Sequence, residues 1–193
     1  MRKIFIIICL FYFIPFSIHA NDTKYIEYLS LSSVDEVSFI VGEGDEMMAI
    51  RRVMRPCGRN KGFLQPMSPA KGVKTLTEVD MLHALNDKDG MIVDMRLESN
   101  FLEETIPTAV NFPYVDIADH MGEFGCVKKT KGQWDCSKAK TIYAFCNGPA
   151  CTQSPTGIRT IIGHGFPAEK IFYYRGGMLV WSAIGLTTVE GDF

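Results

Sequence analysis

The chain has no surplus of positive charge. Its 20 Lys and Arg stand against 22 Asp and Glu, for a formal net charge of -2. Nucleic acid and acidic membrane faces therefore find no basic stripe to bind, and neither is expected as a partner. No segment repeats and no low-complexity tract interrupts the chain. No C-x-x-C pair occurs, and no His lies close enough in sequence to complete a zinc set with the cysteines, so no metal is expected. His83 and His120 have no partner nearby in sequence, and no Ser-His-Asp arrangement is recognisable. What remains is an ordinary globular composition in which the cysteines are the informative residues.

The first residues point to export. Met1-Arg2-Lys3 is a short basic start, Ile4 to Phe16 is almost wholly apolar, and Ala20 offers a small residue before Asn21. That is the three-part pattern of a secretory signal peptide. The apolar stretch, roughly 15 residues, falls short of the about 20 a spanning helix needs, and an uncleaved membrane anchor is the alternative reading. Ile18 is larger than the residue usually found two places before the cleaved Ala. Cleavage removes Arg2 and Lys3 and no acids, moving the formal charge from -2 to -4. Residues 1–20 are thus read as a signal peptide and the mature chain as periplasmic, free of the membrane, and large enough to bury an ordinary core.

Export changes what cysteine means, because disulfides persist outside the cytoplasm. Cys9 leaves with the leader, and Cys57, Cys126, Cys136, Cys146 and Cys151 remain. An odd count leaves at least one thiol unpaired within a monomer. Cys126 and Cys136 flank a polar turn from Val127 to Asp135 with Gly132 near its middle, which reads as a disulfide-closed surface excursion.

Residues 21–70 form an N-terminal extension to which no function can be assigned. Val37 to Val41 alternates weakly, as a strand would; Met47 to Met54 suits strand or helix; Pro56 to Gly62 is a loop. The extension is expected to pack on a main domain spanning 71–190. There Thr77 with Asp80 three residues on resembles a helix start. Val79 and Leu82, with Met81 and Leu85, then offer an apolar face. Met91 to Val93 reads as a buried strand ending at Asp94, and Leu97 to Thr105 as polar connection. Pro107 and Pro113 push the residues before them out of the helical region, so Ile106 to Pro113 is extended. Val115 to Met121 suits a short helix. Thr141 to Phe145 and Ile171 to Tyr174 read as buried strands, and Met178 to Ile184 as a closing helical turn or two. Trp181 is expected in the core, and His164 at a helix end as a cap residue. Strands separated by helices argue for a parallel sheet covered on both faces, with ligands beyond the carboxyl ends of its strands. Asp94, Cys146 and Arg175 would then share one rim.

Cys146 follows the strand 141–145 directly and opens the loop to a helix expected to run from Ser154 to about Ile162. Ser154 suits the N-cap and Pro155 the first helical position. A helix N-terminus favours an anion, so Cys146 is expected to ionise easily and act as a thiolate nucleophile. Asn147, Gly148, Pro149, Ala150, Cys151, Thr152, Gln153 and Ser154 are the expected anion cradle, with Gly148 letting the loop curl. Cys151 either closes a disulfide with Cys146 or is a small loop residue, paired if at all with Cys57. Asp94 and Arg96 suit a brace at the strand end, and Arg159 or Arg175 could add positive charge.

The series Ile92-Val93-Asp94-Met95-Arg96, Ile106 to Pro113, Phe145-Cys146, and Tyr174-Arg175-Gly176-Gly177 followed by Trp181 resembles a rhodanese domain, in order and spacing, across roughly residues 73 to 187. The resemblance implies a five-stranded parallel α/β domain flanked by helices. It also implies transfer of sulfane sulfur from a donor such as thiosulfate to a thiophilic acceptor, a protein thiol among them, through a persulfide on Cys146 and without a cofactor. Two features depart from the usual pattern. Ser154 lies eight residues after Cys146, a longer spacing than in common single-domain members, and the loop carries no basic residue. Related folds with longer loops bind phosphate through an Arg six residues after the cysteine; here that position is Thr152, which argues against a phosphatase. Two further readings stand beside the transferase: a non-catalytic sulfur-carrier or partner-binding module, and a thiol–disulfide protein using Cys146 and Cys151.

Overall fold

The computed structural model describes residues 38–51, 65–129 and 133–192. The expected signal peptide 1–20, the loop 56–62 and Cys57 lie outside the described residues.

Two extended segments open the described chain, β1 (Ser38–Val41) and β2 (Met48–Arg51), paired antiparallel as a hairpin. The main fold follows: β3 (Lys74–Leu76), α1 (Glu78–Ala84), β4 (Gly90–Asp94), α2 (Glu98–Glu103) and β5 (Val110–Asn111). A short hairpin of β6 (Val127–Lys128) and β7 (Trp134–Asp135) precedes β8 (Thr141–Phe145), α3 (Gln153–Gly163), β9 (Ile171–Tyr174) and α4 (Gly177–Ala183). The architecture is α/β, with a five-stranded sheet in the order β3-β9-β8-β4-β5 and every pairing parallel. β8 is the central strand.

Alternation along the central strands builds a core on each face of the sheet. Val93, Ala144 and Tyr173 point to one side, where they meet Ile158 and Ile161 of α3 and Met121 and Phe124. Ile92, Phe145 and Tyr174 point to the other, against Met81, Leu82 and Leu85 around α1 and Met178 and Trp181 of α4. Trp181 is fully buried, as its sequence setting suggested, and its indole N–H donates to the Thr187 carbonyl at 2.7 Å.

Helix α1 starts where the sequence placed it. Thr77 Oγ1 accepts the Asp80 N–H while the Asp80 carboxylate accepts the Thr77 N–H, closing a capping box. Its apolar face differs from the expected one, because Met81, Leu82, Ala84 and Leu85 turn inward and leave Val79 exposed. The segment 97–105, read as plain connection, contains α2; Phe101 is its single buried residue, too little to show a helical period. Of the extended run 106–113, only Val110–Asn111 joins the sheet. His164 caps α3, its Nδ1 2.8 Å from the Thr160 carbonyl oxygen.

Cys126 and Cys136 are bonded to each other at the base of the β6–β7 hairpin, with Cα atoms 4.2 Å apart. Val127, Lys128 and Lys129 of the hairpin are exposed, but Cys126 and Cys136 are buried in the core with Phe124 and Ala139. The N-terminal hairpin likewise lies on the main domain, with Val41 and Ile50 buried among Leu82, Leu85 and Leu186.

Candidate active site

Parallel pairing in register aligns the ends of the three central strands. Asp94 lies opposite Phe145, and Phe145 opposite Tyr174, so Asp94, Cys146 and Arg175 emerge at one rim. Asp94 is buried and paired with Arg96. The Arg96 guanidinium donates to both carboxylate oxygens, through Nη2 at 2.7 Å to Oδ2 and Nε at 3.0 Å to Oδ1. Thr105 Oγ1 adds a bond to Oδ2 at 2.9 Å, and Arg96 Nη2 also reaches the Glu104 carbonyl. The same guanidinium touches the loop, with Nη1 3.4 Å from Asn147 Oδ1. Asp94 and Arg96 therefore brace the strand end and steady the first loop residue after Cys146.

From the other side the loop is held by α4. The Met178 N–H donates to the Cys146 carbonyl at 3.0 Å, and the Leu179 N–H to the Asn147 carbonyl at 2.8 Å. These first-turn amides have no partner within their own helix, and the loop supplies it. The approach requires Gly177, whose φ is +55°. A Cβ there would collide with the Cys146 carbonyl oxygen and lie 2.6 Å from the Gly148 nitrogen. Gly148 turns the loop with a φ of +148°. The Cys151 N–H then donates to the Gly148 carbonyl at 2.9 Å, bringing the second cysteine back over the first.

Helix α3 begins earlier than the Ser-Pro pair indicated. Thr152 stands at the cap position, with no side-chain cap bond, and the Thr156 N–H donates to its carbonyl at 2.9 Å. Ser154 lies inside the first turn instead of capping it, fully buried, its hydroxyl lacking a conventional hydrogen-bond partner. Pro155 remains harmless there, because first-turn nitrogens need no intrahelical acceptor.

The two loop thiols are both free and both buried, Cys146 at 1% and Cys151 at 8% exposure. Cys146 Sγ donates to the Cys151 carbonyl at 3.7 Å. Burial pushes the Cys146 thiol well above the ordinary range, and the neighbouring Cys151 adds to this; the hydroxyl and N–H of Ser154 oppose it. Cys151 is drawn the other way, down to about 6: a hydrogen bond from Cys146 lowers it most, desolvation resists, and the N–H groups of Gln153, Asn147 and Gly148 assist. This reverses the expectation that Cys146 would ionise first. The cause is geometric, since three of the loop amides favour the Cys151 sulfur while Cys146 lies deeper with Ser154 alone opposing its burial. Pro149 has no N–H to offer, and its carbonyl accepts the Gln65 N–H at 2.7 Å. Thr152 is exposed, and Ala150 is half-buried.

Neither expected arginine adds charge directly at the thiols. Arg175 donates from Nε at 3.1 Å and Nη2 at 2.9 Å to the Gln65 carbonyl, and so reaches the loop only through Gln65 and Pro149. Arg159 is exposed on α3, about 9 Å along the axis from the helix start at 1.5 Å per residue. Gln65 is the functional contact that sequence reasoning missed. It carries no local signal, being distant in sequence from both of its partners. The role of Gly177 was partly legible, because a Gly-Gly pair directly after a strand marks a close approach.

A family model described as Rhodanese-like domain matches residues 78–184, more than half of the chain. The chain belongs to the rhodanese-like family. It is 25% identical over 116 residues to an HTH-type transcriptional regulator of Mycobacterium tuberculosis, across 60% of this chain and 45% of the regulator. This rhodanese-like chain thus spans less than half the length of that curated relative. Among solved structures, a rhodanese-like domain from Anabaena sp. is 20% identical with a TM-score of 0.45, covering 64% of this chain and 81% of its own. A thiosulfate sulfurtransferase from Pseudomonas aeruginosa is 15% identical with a TM-score of 0.46, covering 62% of this chain and 21% of its own.

The rhodanese-like loop of this chain differs from a single-thiol pocket in its chemistry. A buried thiol at the end of the central strand is braced by Asp94–Arg96 and α4. A second thiol, favoured as the anion, lies above it. Such a pair can hold one negative charge between two sulfurs and can exchange sulfur–sulfur bonds.

Proposed function

We propose that this protein is an exported sulfurtransferase that carries sulfane sulfur as a persulfide on Cys146. The observation that carries the reading is the position of Cys146: it ends the central strand of a rhodanese-like sheet, on the floor of a loop whose backbone is gripped by α4. In the first half-reaction the Cys146 thiolate attacks the outer sulfur of thiosulfate, and the sulfur–sulfur bond breaks with its electron pair leaving on sulfite. A thiophilic acceptor, either a small nucleophile or a protein thiol, then removes the terminal sulfur. The Ser154 hydroxyl and N–H favour the anion that Cys146 must become in order to attack.

Two observations support export. The basic-then-apolar start has the form of a signal peptide, and the Cys126–Cys136 bond suits an oxidising compartment. Residues 21–70 then act as an extension whose hairpin covers one face of the domain. Cyanide-dependent thiocyanate release tests the activity, using reduced mature protein beside Cys146→Ser. The expected result is turnover that disappears in the variant, and equal rates in the two proteins would sink the proposal. The mass of the exported chain tests the compartment, since it should begin at Asn21.

A further inference from the structure

The loop holds two thiols where one would suffice to carry sulfur. Both are free, five residues apart, and folded together by the Gly148 turn. Cys146 Sγ donates to the Cys151 carbonyl at 3.7 Å, and Cys151 Sγ lies 3.5 Å from Gln153 Oε1 in the same loop. The N–H groups of Asn147, Gly148 and Gln153 favour the anionic Cys151 sulfur. The loop amides thus favour negative charge on a second sulfur of the chain itself. An acceptor from solution would have to reach a buried sulfur, whereas Cys151 is already held beside the carrier by the bond from Cys146 Sγ to the Cys151 carbonyl.

We propose that Cys151 is the resolving thiol of this loop, closing a disulfide with Cys146 and expelling the carried sulfur as hydrosulfide. The step rests on the Cys146 persulfide reading above. The Cys151 thiolate attacks Cys146 Sγ and forms the new sulfur–sulfur bond. The bond from Cys146 Sγ to the terminal sulfur breaks, and that sulfur, bearing its proton, leaves with the electron pair as HS⁻. The sulfane sulfur takes up two electrons as sulfide, and the cysteine pair gives them up as the disulfide. An external dithiol reductant, exchanging through a mixed disulfide, returns the pair to its reduced form. The protein would then deliver sulfide and draw its electrons from a dithiol, instead of handing sulfane sulfur to a small nucleophile.

The test loads reduced wild-type protein and Cys151→Ser with thiosulfate, without a reductant, then reads intact mass and released sulfide. Replacing Cys151 removes a neighbour that disfavours the Cys146 anion, so the variant is expected to load. Cys151→Ser should gain and keep about 32 Da, one added sulfur, with no sulfide released. Wild type should lose about 2 Da, release about one equivalent of sulfide, and yield a Cys146–Cys151 cross-linked peptide. A wild-type protein without that cross-link beside a loaded variant would overturn the resolving role and leave the carrier intact. Absence of added sulfur on Cys151→Ser and on Cys151→Ala, with both folded by circular dichroism, would remove the carrier reading and the resolving step with it.

Discussion

Cys146 and Cys151 are five residues apart, yet their surroundings push the two thiols in opposite directions. That Cys146 sits beyond the central strand was legible in sequence, because an apolar run of strand length precedes it. Which sulfur holds the charge was not, since that depends on the direction of a few loop amides and on a turn closed by Gly148. Alkylation of Cys151 by iodoacetamide should follow a pH midpoint of about 6. Its folded pKa lies below the ordinary thiol value, so this ionisation stabilises the fold most above about pH 9, and that contribution is lost as pH falls through about 6. The hydrogen bond from Cys146 is the largest cause, so Cys146→Ala should move the midpoint upward; an unchanged midpoint would discount that bond. The neighbouring Asp94–Arg96 pair is a different kind of electrostatic element, buried at 0% and 5% exposure. Arg96→Met leaves the Asp94 carboxylate buried without its partner and should cost about 3–5 kcal/mol, read as a lower urea midpoint.

The elements around the site show where sequence signals carry through and where packing overrides them. β4, β8 and β9 were legible because buried strands read as short apolar runs, and α1 because its capping box is written in two residues. α3 was misplaced at its start: Ser154-Pro155 has the composition of a cap, but the helix begins at Gln153 and Ser154 is buried within its first turn. α4 shows how little an element needs in order to matter. It has seven residues, and its first amides position the carbonyls of the nucleophile loop. Gly177→Ala should therefore be more harmful than a surface glycine change. The positive φ costs about 1–2 kcal/mol for any residue with a Cβ. The collision with the Cys146 carbonyl adds to this, so a total of about 2–4 kcal/mol is expected. Thermal unfolding measures that loss. Thiosulfate loading of the folded fraction should fall as well, because the loop must shift to admit the methyl group. A folded variant that loads like wild type would show that the α4 grip is not needed for the chemistry.

At the scale of the whole molecule, the N-terminal hairpin is joined to the rhodanese-like domain by burial as well as by the chain. Ile50 is fully buried and Val41 nearly so, on the face that also packs Leu82, Leu85 and Leu186. Hydrogen bonds tie the same edge, from the Arg51 N–H to Thr187 Oγ1 at 2.9 Å and from Asn86 Nδ2 to the Ile40 carbonyl at 3.1 Å. The sequence offered a weak strand at Val37 to Val41 and left Met47 to Met54 open between strand and helix, because a two-stranded hairpin carries no period long enough to show what it covers. An isolated hairpin is marginal in water, so this one draws its order from the domain beneath it. Two substitutions on it should then differ sharply. Glu43→Gln breaks an ion pair with Lys88 that is exposed on both sides, and exposed pairs contribute little. Ile50→Ala opens a cavity in the shared core and should cost about 2–4 kcal/mol. Urea unfolding followed at Trp134 and Trp181 and by far-UV circular dichroism should show one transition at a lower midpoint for Ile50→Ala. A main transition left in place, with a separate low-urea loss confined to the hairpin, would mean that the two parts fold independently. A shared transition would make the hairpin part of the platform that supports α4, and through α4 the nucleophile loop.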